Sequence, residues 1–260
     1  MIHTSLRPAA YAGLAATLLL IGCGGSRKDR PASRTPANPT PAPAPAPAQA
    51  MQPGLWRGQF QPDQGPAVEA IAPVLPDGTA LFQWDTALFR TSLTRDQGPG
   101  EVIPLNAGPN GLQAAPGRFQ VTRGVDASRR EVSLQSPSLR GTFTLTHHPE
   151  ERRAITFQDL QNRWQSQAGD NLLNQAIALE VDLTGRVTSQ ITGQPPSGEG
   201  RITIPDPTWN LFTVTFTGTA DSQANPIRGI GYLGRGANGQ DQLTVIATDG
   251  QVVFKGKFTR

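Results

Sequence analysis

The stretch Leu243-Thr-Val-Ile-Ala-Thr-Asp249-Gly250-Gln-Val-Val-Phe254 indicates the fold class. Two runs of β-branched and apolar residues flank an Asp-Gly pair, which suits a two-residue hairpin turn because both positions tolerate positive φ. Pairing outward from that turn sets Ala247 opposite Val252 and Val245 opposite Phe254. One face of the hairpin is then apolar throughout, so the sequence predicts antiparallel β structure here.

Similar runs recur along the chain after residue 52, separated by glycine-rich turn signals. Apolar residues alternate with threonine in several of them, which is typical of sheets with one solvated face. The predicted strands are Gly117–Arg123, Glu131–Leu134, Gly141–His147, Ala178–Leu183, Phe212–Thr219 and Ile227–Gly234. We therefore predict an all-β fold, an antiparallel barrel or sandwich of about eight strands.

A second hairpin is predicted around Asp77-Gly78, and its prolines indicate an edge strand. Its predicted pairs set Leu75, Pro73 and Ile71 opposite Ala80, Phe82 and Trp84. The helix candidate is the segment from Phe157 to Ala178, where apolar residues partly follow helical spacing. Because Gly169-Asp170-Asn171 interrupts that spacing, we expect a short helix or an irregular crossover.

A weak internal repeat relates the two halves of the chain. The string Leu55–Gln59 can be set against Arg163–Gln167, which places Trp56 and Trp164 108 residues apart. The turn candidates Asp77-Gly78 and Thr184-Gly185 follow, and Arg140–Thr144 resembles Lys255–Thr259 near the end of each half. This spacing suits two four-stranded halves of one barrel or sandwich, and chance similarity of short strings is the alternative.

Residues 1–22 have the layout of a secretory signal, with basic Arg7 followed by the apolar or small run Ala9–Ile21. The run is shorter than the roughly 20 residues that a transmembrane helix needs. Leu20-Ile21-Gly22-Cys23 resembles the lipobox of bacterial lipoproteins, and Cys23 is the chain's one cysteine. The resemblance implies cleavage before Cys23, a diacylglycerol on its thiol, and a further acyl chain such as palmitate on the new amine. The alternative is a free cysteine at the end of an ordinary signal.

Residues 23–52 are predicted to be a tether between the lipid and a β domain at residues 53–260. The Pro41–Ala48 repeat favours a semi-rigid polyproline spacer, and residues 24–52 could reach roughly 90 Å from the bilayer. The residue directly after the cysteine is Gly24. An aspartate at that position would resemble the inner-membrane retention signal of enteric bacteria, so its absence favours the outer membrane. The expected location is therefore the outer membrane, with the domain in the periplasm or at the cell surface.

The excess of positive charge lies outside the predicted domain, in the signal and the tether. Residues 52–260 contain 18 lysines and arginines against 19 aspartates and glutamates. Nucleic-acid binding needs clustered, uncompensated positive charge, so this near-neutral domain is not predicted to bind nucleic acid. The basic tether could lie against anionic head groups, or serve as a solvated linker.

Two resemblances suggest a class of protein. Gly54-Leu-Trp56-Arg-Gly58 is similar to the Gly-x-Trp-x-Gly motif that opens the halves of uncharacterised proteobacterial lipoproteins, which implies a fold and an envelope location without an activity. The segment Gly229–Arg260 looks like the closing hairpins of small barrels in transferrin-binding-protein-B-like surface lipoproteins. That second resemblance implies surface exposure and partner binding.

Gly229-Ile-Gly231-Tyr-Leu-Gly234 satisfies the G-x-G-x-x-G pattern of dinucleotide-binding loops. Such a loop needs a helix after it, and the following Arg235–Gly239 cannot sustain one. We therefore interpret these glycines as allowing strand curvature or close packing.

His147 and His148 with Glu150 and Glu151 combine residue types that bind divalent metals. Adjacent histidines on a strand point to opposite faces, so a solvated loop is the favoured interpretation. A serine–histidine–acid triad would need one of these histidines, and no Gly-x-Ser-x-Gly elbow accompanies them. A glycosidase-like carboxylate pair stays open. The sequence nominates no catalytic, metal-binding or cofactor-binding residue and no cofactor.

The four tryptophans, Trp56, Trp84, Trp164 and Trp209, could fill a barrel core or line a ligand cavity, and the core is favoured. Our first hypothesis is a non-enzymatic lipoprotein that binds an envelope protein partner or supports envelope structure. The alternatives are a lipocalin-like carrier of a small hydrophobic ligand and an envelope hydrolase.

Overall fold

The fold consists of two closed antiparallel β-barrels, which follow one another in the chain. The computed structural model describes residues 50–105, 113–123, 126–148, 154–218, 226–236, 238–250 and 253–260. Cys23 and residues 1–49 lie outside these ranges. Both barrels belong to one compact unit, and within the described residues no helix is long and apolar enough to span a membrane.

Barrel 1 contains eight strands, each paired antiparallel with the next. They are β1 (Gly54–Pro62), β2 (Val68–Val74), β3 (Thr79–Gln83), β4 (Ala87–Ser92), β5 (Gln97–Pro104), β6 (Ala115–Arg123), β7 (Arg129–Gln135) and β8 (Arg140–His147). Strand β1 pairs with β8 from Trp56–His147 to Pro62–Gly141, which closes the barrel. Ala50 and Met51, just before β1, are already buried in its core.

Barrel 2 repeats this arrangement after the one-turn helix α1 (Phe157–Leu160). Its strands are β9 (Asn162–Ser166), β10 (Ile177–Val181), β11 (Arg186–Ile191), β12 (Pro196–Thr203), β13 (Phe212–Gly218), β14 (Ile227–Arg235), β15 (Asp241–Thr248) and β16 (Val253–Thr259). Its seam is short, because β16 meets β9 only at Thr259–Gln165 and is continued by the bridge Asn171–Gly256.

The all-β prediction is confirmed, and the predicted strands coincide with β6, β7, β8, β10, β13 and β14. The number of strands differs from the expectation, because each half of the chain contains eight strands and closes on itself. The turn signal Asp85-Thr86, for example, lies between β3 and β4, and the sequence analysis did not predict β4. Closure leaves no free sheet edge, so each half is a complete barrel.

The short helix expected between Phe157 and Ala178 is present as the single turn Phe157–Leu160, and the rest of the segment is not helical. Residues Asn162–Ser166 form strand β9, and Trp164 lies on that strand with its side chain in the barrel core. The apolar residues follow helical spacing without forming one helix, because Leu160 ends α1 whereas Trp164 belongs to β9. Leu172 and Leu173 lie in the loop after β9 and are partly exposed.

The predicted register of the β2–β3 hairpin is wrong by one residue. Val74 pairs with Ala80, and Leu75 donates its N–H to the carbonyl of Thr79 at 2.8 Å, which leaves a three-residue loop. Gly78 closes that loop with φ 85°, as expected for a type I turn followed by a left-handed residue. A one-residue slip exchanges the faces of a strand, so Leu75 lies outside the barrel.

Strand β2 is also not an edge strand, since it has partners on both sides. Pro73 lies opposite Leu55 of β1, and the ladder toward β3 is interrupted beside it. Proline has no N–H to donate, so the interruption accommodates it without exposing an edge.

The register of the β15–β16 hairpin is wrong by two residues. Ala247 pairs with Phe254 and Val245 with Gly256, so the strands end at Thr248 and begin again at Val253. Gly250 has φ 91°, and its N–H donates to the Thr248 hydroxyl at 2.9 Å. Val252, the predicted partner of Ala247, lies outside the described residues.

The internal repeat agrees with the structure. Trp56 and Trp164 lie on the first strand of each barrel and are fully buried. Each indole N–H donates to the carbonyl four residues earlier, Gln52 at 2.9 Å and Leu160 at 2.8 Å. Gly78 and Gly185, with φ 85° and 79°, both close the turn between the second and third strands.

The barrels pack against each other through their outer faces. Barrel 1 contributes Leu55, Leu75, Leu81, Leu88, Ile103 and Leu105, and barrel 2 contributes Leu211, Ile230, Tyr232, Ile246 and Val253. This third core excludes water from one side of several strands that face solvent in an isolated barrel. Beside it, the two outer faces diverge and leave a cleft.

Candidate functional site

The cleft between the barrels has a volume of about 920 Å³ and is open to solvent. That volume falls within the range of ligand-binding pockets. Its lining is Arg57, Glu69, Ile71, Gln83, Trp84 and Asp85 from barrel 1, with Asn210, Tyr232, Leu233, Gly234, Arg235, Asp241, Gln242, Thr244, Lys255 and Lys257 from barrel 2. We refer to it as the inter-barrel cleft.

Strand β16 places two lysines on the barrel 2 wall. Gly256 and Phe258 are buried on the inner side of this strand, so Lys255 and Lys257 face outward. Lys255 pairs with Ile246 on β15, and Lys257 pairs with Thr244. The two ammonium groups therefore start from neighbouring outward positions, about 7 Å apart along the strand.

The barrel 1 wall is built from the outer faces of β1 and β2 and from the end of β3. Arg57 pairs directly with Ile71, which sets a charged and an apolar side chain next to each other. Trp84 is almost fully buried against the rings of Phe60 and Phe143, at centroid distances of 4.8 and 5.5 Å. Only its edge can contribute to the cleft.

Acidic and basic side chains both line the cleft, but not all of them form ion pairs. Arg260 forms an ion pair with Asp241 at the rim. Among the residues that the structure describes, neither lysine forms an ion pair with a carboxylate. Lys255 is partly buried, and this burial lowers the pKa of its ammonium group. Lys257 lowers the same pKa further, whereas Asp85 and Glu69 act in the opposite direction.

The histidines chosen from the sequence lie elsewhere. His147 ends β8, and its Nε2 lies 3.1 Å from the Pro53 carbonyl oxygen. Its ring lies between Trp56 and Trp209, with centroid distances of 4.8 and 6.2 Å. A side chain at Gly54 would meet His147 Nε2 at 2.6 Å, so the glycine that opens the Gly-x-Trp-x-Gly motif makes room for this ring.

The metal-site pattern is not assembled by the described residues. His148 donates its backbone N–H to the Leu55 carbonyl at 3.2 Å, while Glu150 and Glu151 lie outside the described ranges. Nowhere in those ranges do three histidine, cysteine, aspartate or glutamate side chains come together in a way that could hold a metal ion.

The G-x-G-x-x-G glycines lie in the middle of strand β14, with no helix after them. A methyl group at Gly229 would overlap the Ile246 carbonyl oxygen, and one at Gly231 would overlap the ring of Phe212. Both glycines therefore permit close packing, as the structural interpretation predicted. Gly234 has only ordinary contacts and lies on the cleft wall.

Three of the four tryptophans are core residues, namely Trp56, Trp84 and Trp164. Trp209 is partly exposed and packs beside His147. The interior of barrel 1 is filled by aromatic side chains, including those of Phe60, Phe82, Phe89 and Phe143. The lipocalin-like carrier and the envelope hydrolase stay predictions.

Sequence reasoning missed the inter-barrel cleft, whose residues come from β1, β2, β3, β14, β15 and β16 and from the segments beside them. One signal was available, because two of the chain's three lysines lie two residues apart directly after the predicted hairpin, which ends at Phe254. No protein-family model matches this chain, and neither does any of the curated proteins. The candidate site therefore depends on geometry alone.

Proposed function

We propose that this chain is a lipid-anchored, non-enzymatic protein of the bacterial outer membrane that binds an envelope protein through its inter-barrel cleft. The observation that carries the binding role is the cleft itself, a concavity of about 920 Å³ lined by two lysines that form no ion pair with a carboxylate among the described residues. A concave site that combines apolar and aromatic surface with a few charged groups is typical of binding sites.

The anchor is supported by the lipobox-like Leu20–Cys23 and the Pro/Ala spacer after it. Several acyl chains on one cysteine would hold the protein stably, because each buried methylene adds to membrane affinity. The test is mass spectrometry of the protein from the membrane fraction. We expect a mature N-terminus at Cys23 carrying acyl chains, and a Cys23→Ala variant that is not acylated. A wild-type product retaining residues 1–22 and a free thiol would refute the anchor.

The partner is tested by photocrosslinking in intact cells. A photoreactive amino acid replaces Ile71 or Gln242, which are partly exposed on opposite walls of the cleft, and Arg201 serves as a control position on the exposed face of β12. We expect both cleft positions to give the same defined adduct, and the control position to lack it. Adducts that are identical at all three positions, or absent from both cleft positions, would contradict the proposal.

A further inference from the structure

We propose that the segment of the partner that enters the inter-barrel cleft is an extended, acidic peptide whose carboxylates bind Lys255 and Lys257. This inference rests on the proposed function and specifies the chemistry of the partner. It follows from the charges of the cleft, from its hydrogen-bonding groups, and from the stability cost of Lys255.

The positive charge on the barrel 2 wall is available to a ligand. Lys255 and Lys257 form no ion pair among the described residues, and the exposed Arg235 lies on the same wall. Asp241, the one acidic residue of barrel 2 in the lining, is already paired with Arg260. An incoming carboxylate would therefore form charge-assisted hydrogen bonds without displacing a protein group from the lysines.

The spacing of the lysines fits an extended chain. Side chains that alternate along a strand lie about 7 Å apart at positions i and i+2, in the ligand as in β16. Two acidic residues of an extended peptide, separated by one residue, would thus meet Lys255 and Lys257 in register. The peptide would run beside β16 on the outer face of the barrel.

The opposite wall distinguishes a peptide from a phosphate. Glu69, Asp85 and Gln83 supply acceptor oxygens across the cleft from the lysines. Backbone N–H groups of a peptide would donate to these oxygens, whereas a fully ionised phosphate has only acceptor atoms and could donate to none of them. A peptide satisfies both walls, and apolar side chains of the peptide would contact Ile71 and Tyr232.

Lys255 also destabilises the fold when it is charged. Its partial burial removes water from the ammonium group, and the positive charge of Lys257 adds repulsion. A ligand carboxylate would offset both effects, so part of the binding free energy would come from relieving this cost. A neutral side chain of similar length would pack at this position without the penalty.

The test is a selection of random dodecapeptides displayed on phage against the full-length protein purified in mild detergent, followed by binding measurements with the enriched peptides as synthetic probes. Three proteins are compared. They are the wild type, the double variant Lys255→Met/Lys257→Met, and a control with the same loss of charge, Arg95→Met/Arg201→Met. Both control residues are exposed and lie outside the cleft lining. Circular dichroism and thermal unfolding establish that each variant is folded.

We expect the enriched peptides to contain aspartate or glutamate at alternating positions. The lysine double variant should bind them at least about tenfold more weakly, because two charge-assisted contacts are lost, and the control should bind within about twofold of the wild type. Binding should also weaken as salt is added.

Three outcomes would overturn the inference. They are enriched peptides without acidic residues, no enrichment at all, and acidic peptides that bind the lysine double variant as well as the wild type. Inorganic phosphate is titrated in parallel, and lysine-dependent binding of phosphate without any peptide enrichment would replace the peptide with a phosphorylated ligand. If these peptides fail while the Ile71 and Gln242 adducts form, only the acidic character of the partner is refuted.

Discussion

Replacing Gly229 by alanine should destabilise barrel 2 severely, although the change adds only one methyl group. The new Cβ would lie 2.5 Å from the Ala247 Cβ and closer still to the carbonyl oxygen of Ile246. Backbone atoms of β15 cannot rotate away as a flexible side chain can, so strands β14 and β15 would have to separate. Overpacking of this kind costs about 1–3 kcal/mol, and the backbone overlap favours the upper end of that range.

The matched control is Gly234→Ala, five residues along the same strand. Its Cβ would lie 3.9 Å from the nearest atom, the Gln242 carbonyl oxygen, which is an ordinary contact. Alanine lowers the entropy of the unfolded chain, so this variant should be about 0.5–1 kcal/mol more stable than the wild type. The two variants should therefore differ by about 3–4 kcal/mol in the free energy of unfolding.

Urea denaturation followed by tryptophan fluorescence measures this difference, since Trp164 reports on the core of barrel 2. Equal stability of Gly229→Ala and Gly234→Ala would refute the close packing of β14 on β15. A pyrophosphate-binding loop makes the opposite prediction. There, Gly229→Ala would leave stability nearly unchanged and abolish dinucleotide binding.

Three further predictions concern the buried tryptophans, the seam of barrel 2 and the charge of Lys255. Trp164→Phe leaves the buried Leu160 carbonyl without its donor, so it should lower the free energy of unfolding by about 1–3 kcal/mol beyond the loss of ring contacts, as measured by urea denaturation. Trp56→Phe should lower it less, because the Trp56 hydrogen bond is only partly buried. Asn171→Ala removes an amide that donates to Ser166 Oγ and to two backbone carbonyls, so hydrogen exchange in β9 should accelerate, whereas unchanged protection would contradict that role. Lys255→Met should raise stability at neutral pH. Burial lowers the pKa of Lys255 in the folded state, so the unfolded wild type binds the proton more tightly. Wild-type stability should therefore rise as the pH increases toward the ordinary lysine pKa of 10.5. Chemical denaturation of the variant should show no such rise.

The positions of most strands could be predicted because they depend on local patterns. Phe143 and Leu145 are buried on β8 between partly exposed threonines, and this period of two is visible in any short window of sequence. The repeat was visible for a similar reason, since a buried tryptophan and a turn glycine recur at equivalent positions of both halves.

The registers could not be predicted from the turn dipeptides. Asp77-Gly78 and Asp249-Gly250 both suit a two-residue turn, but the loops around them contain three and four residues. In the first case Gly78 takes a left-handed conformation as the third loop residue, which moves Leu75 to the outer face and into the contact between the barrels. The register depends on which residues are buried against the other barrel, and the turn residues do not indicate this.

The sequence by itself determined the fold class, the succession of strands and the repeat, because each depends on side chains near one another along the chain. Only the tertiary structure decided that each half closes into its own barrel and that outward-facing residues of the two barrels form a cleft. Closure depends on pairing the first strand with the eighth, some 80 to 100 residues away along the chain, as Trp56 pairs with His147. The cleft likewise joins Arg57 and Asp85 to Lys255, and no local pattern indicates which outward residues a second barrel will face.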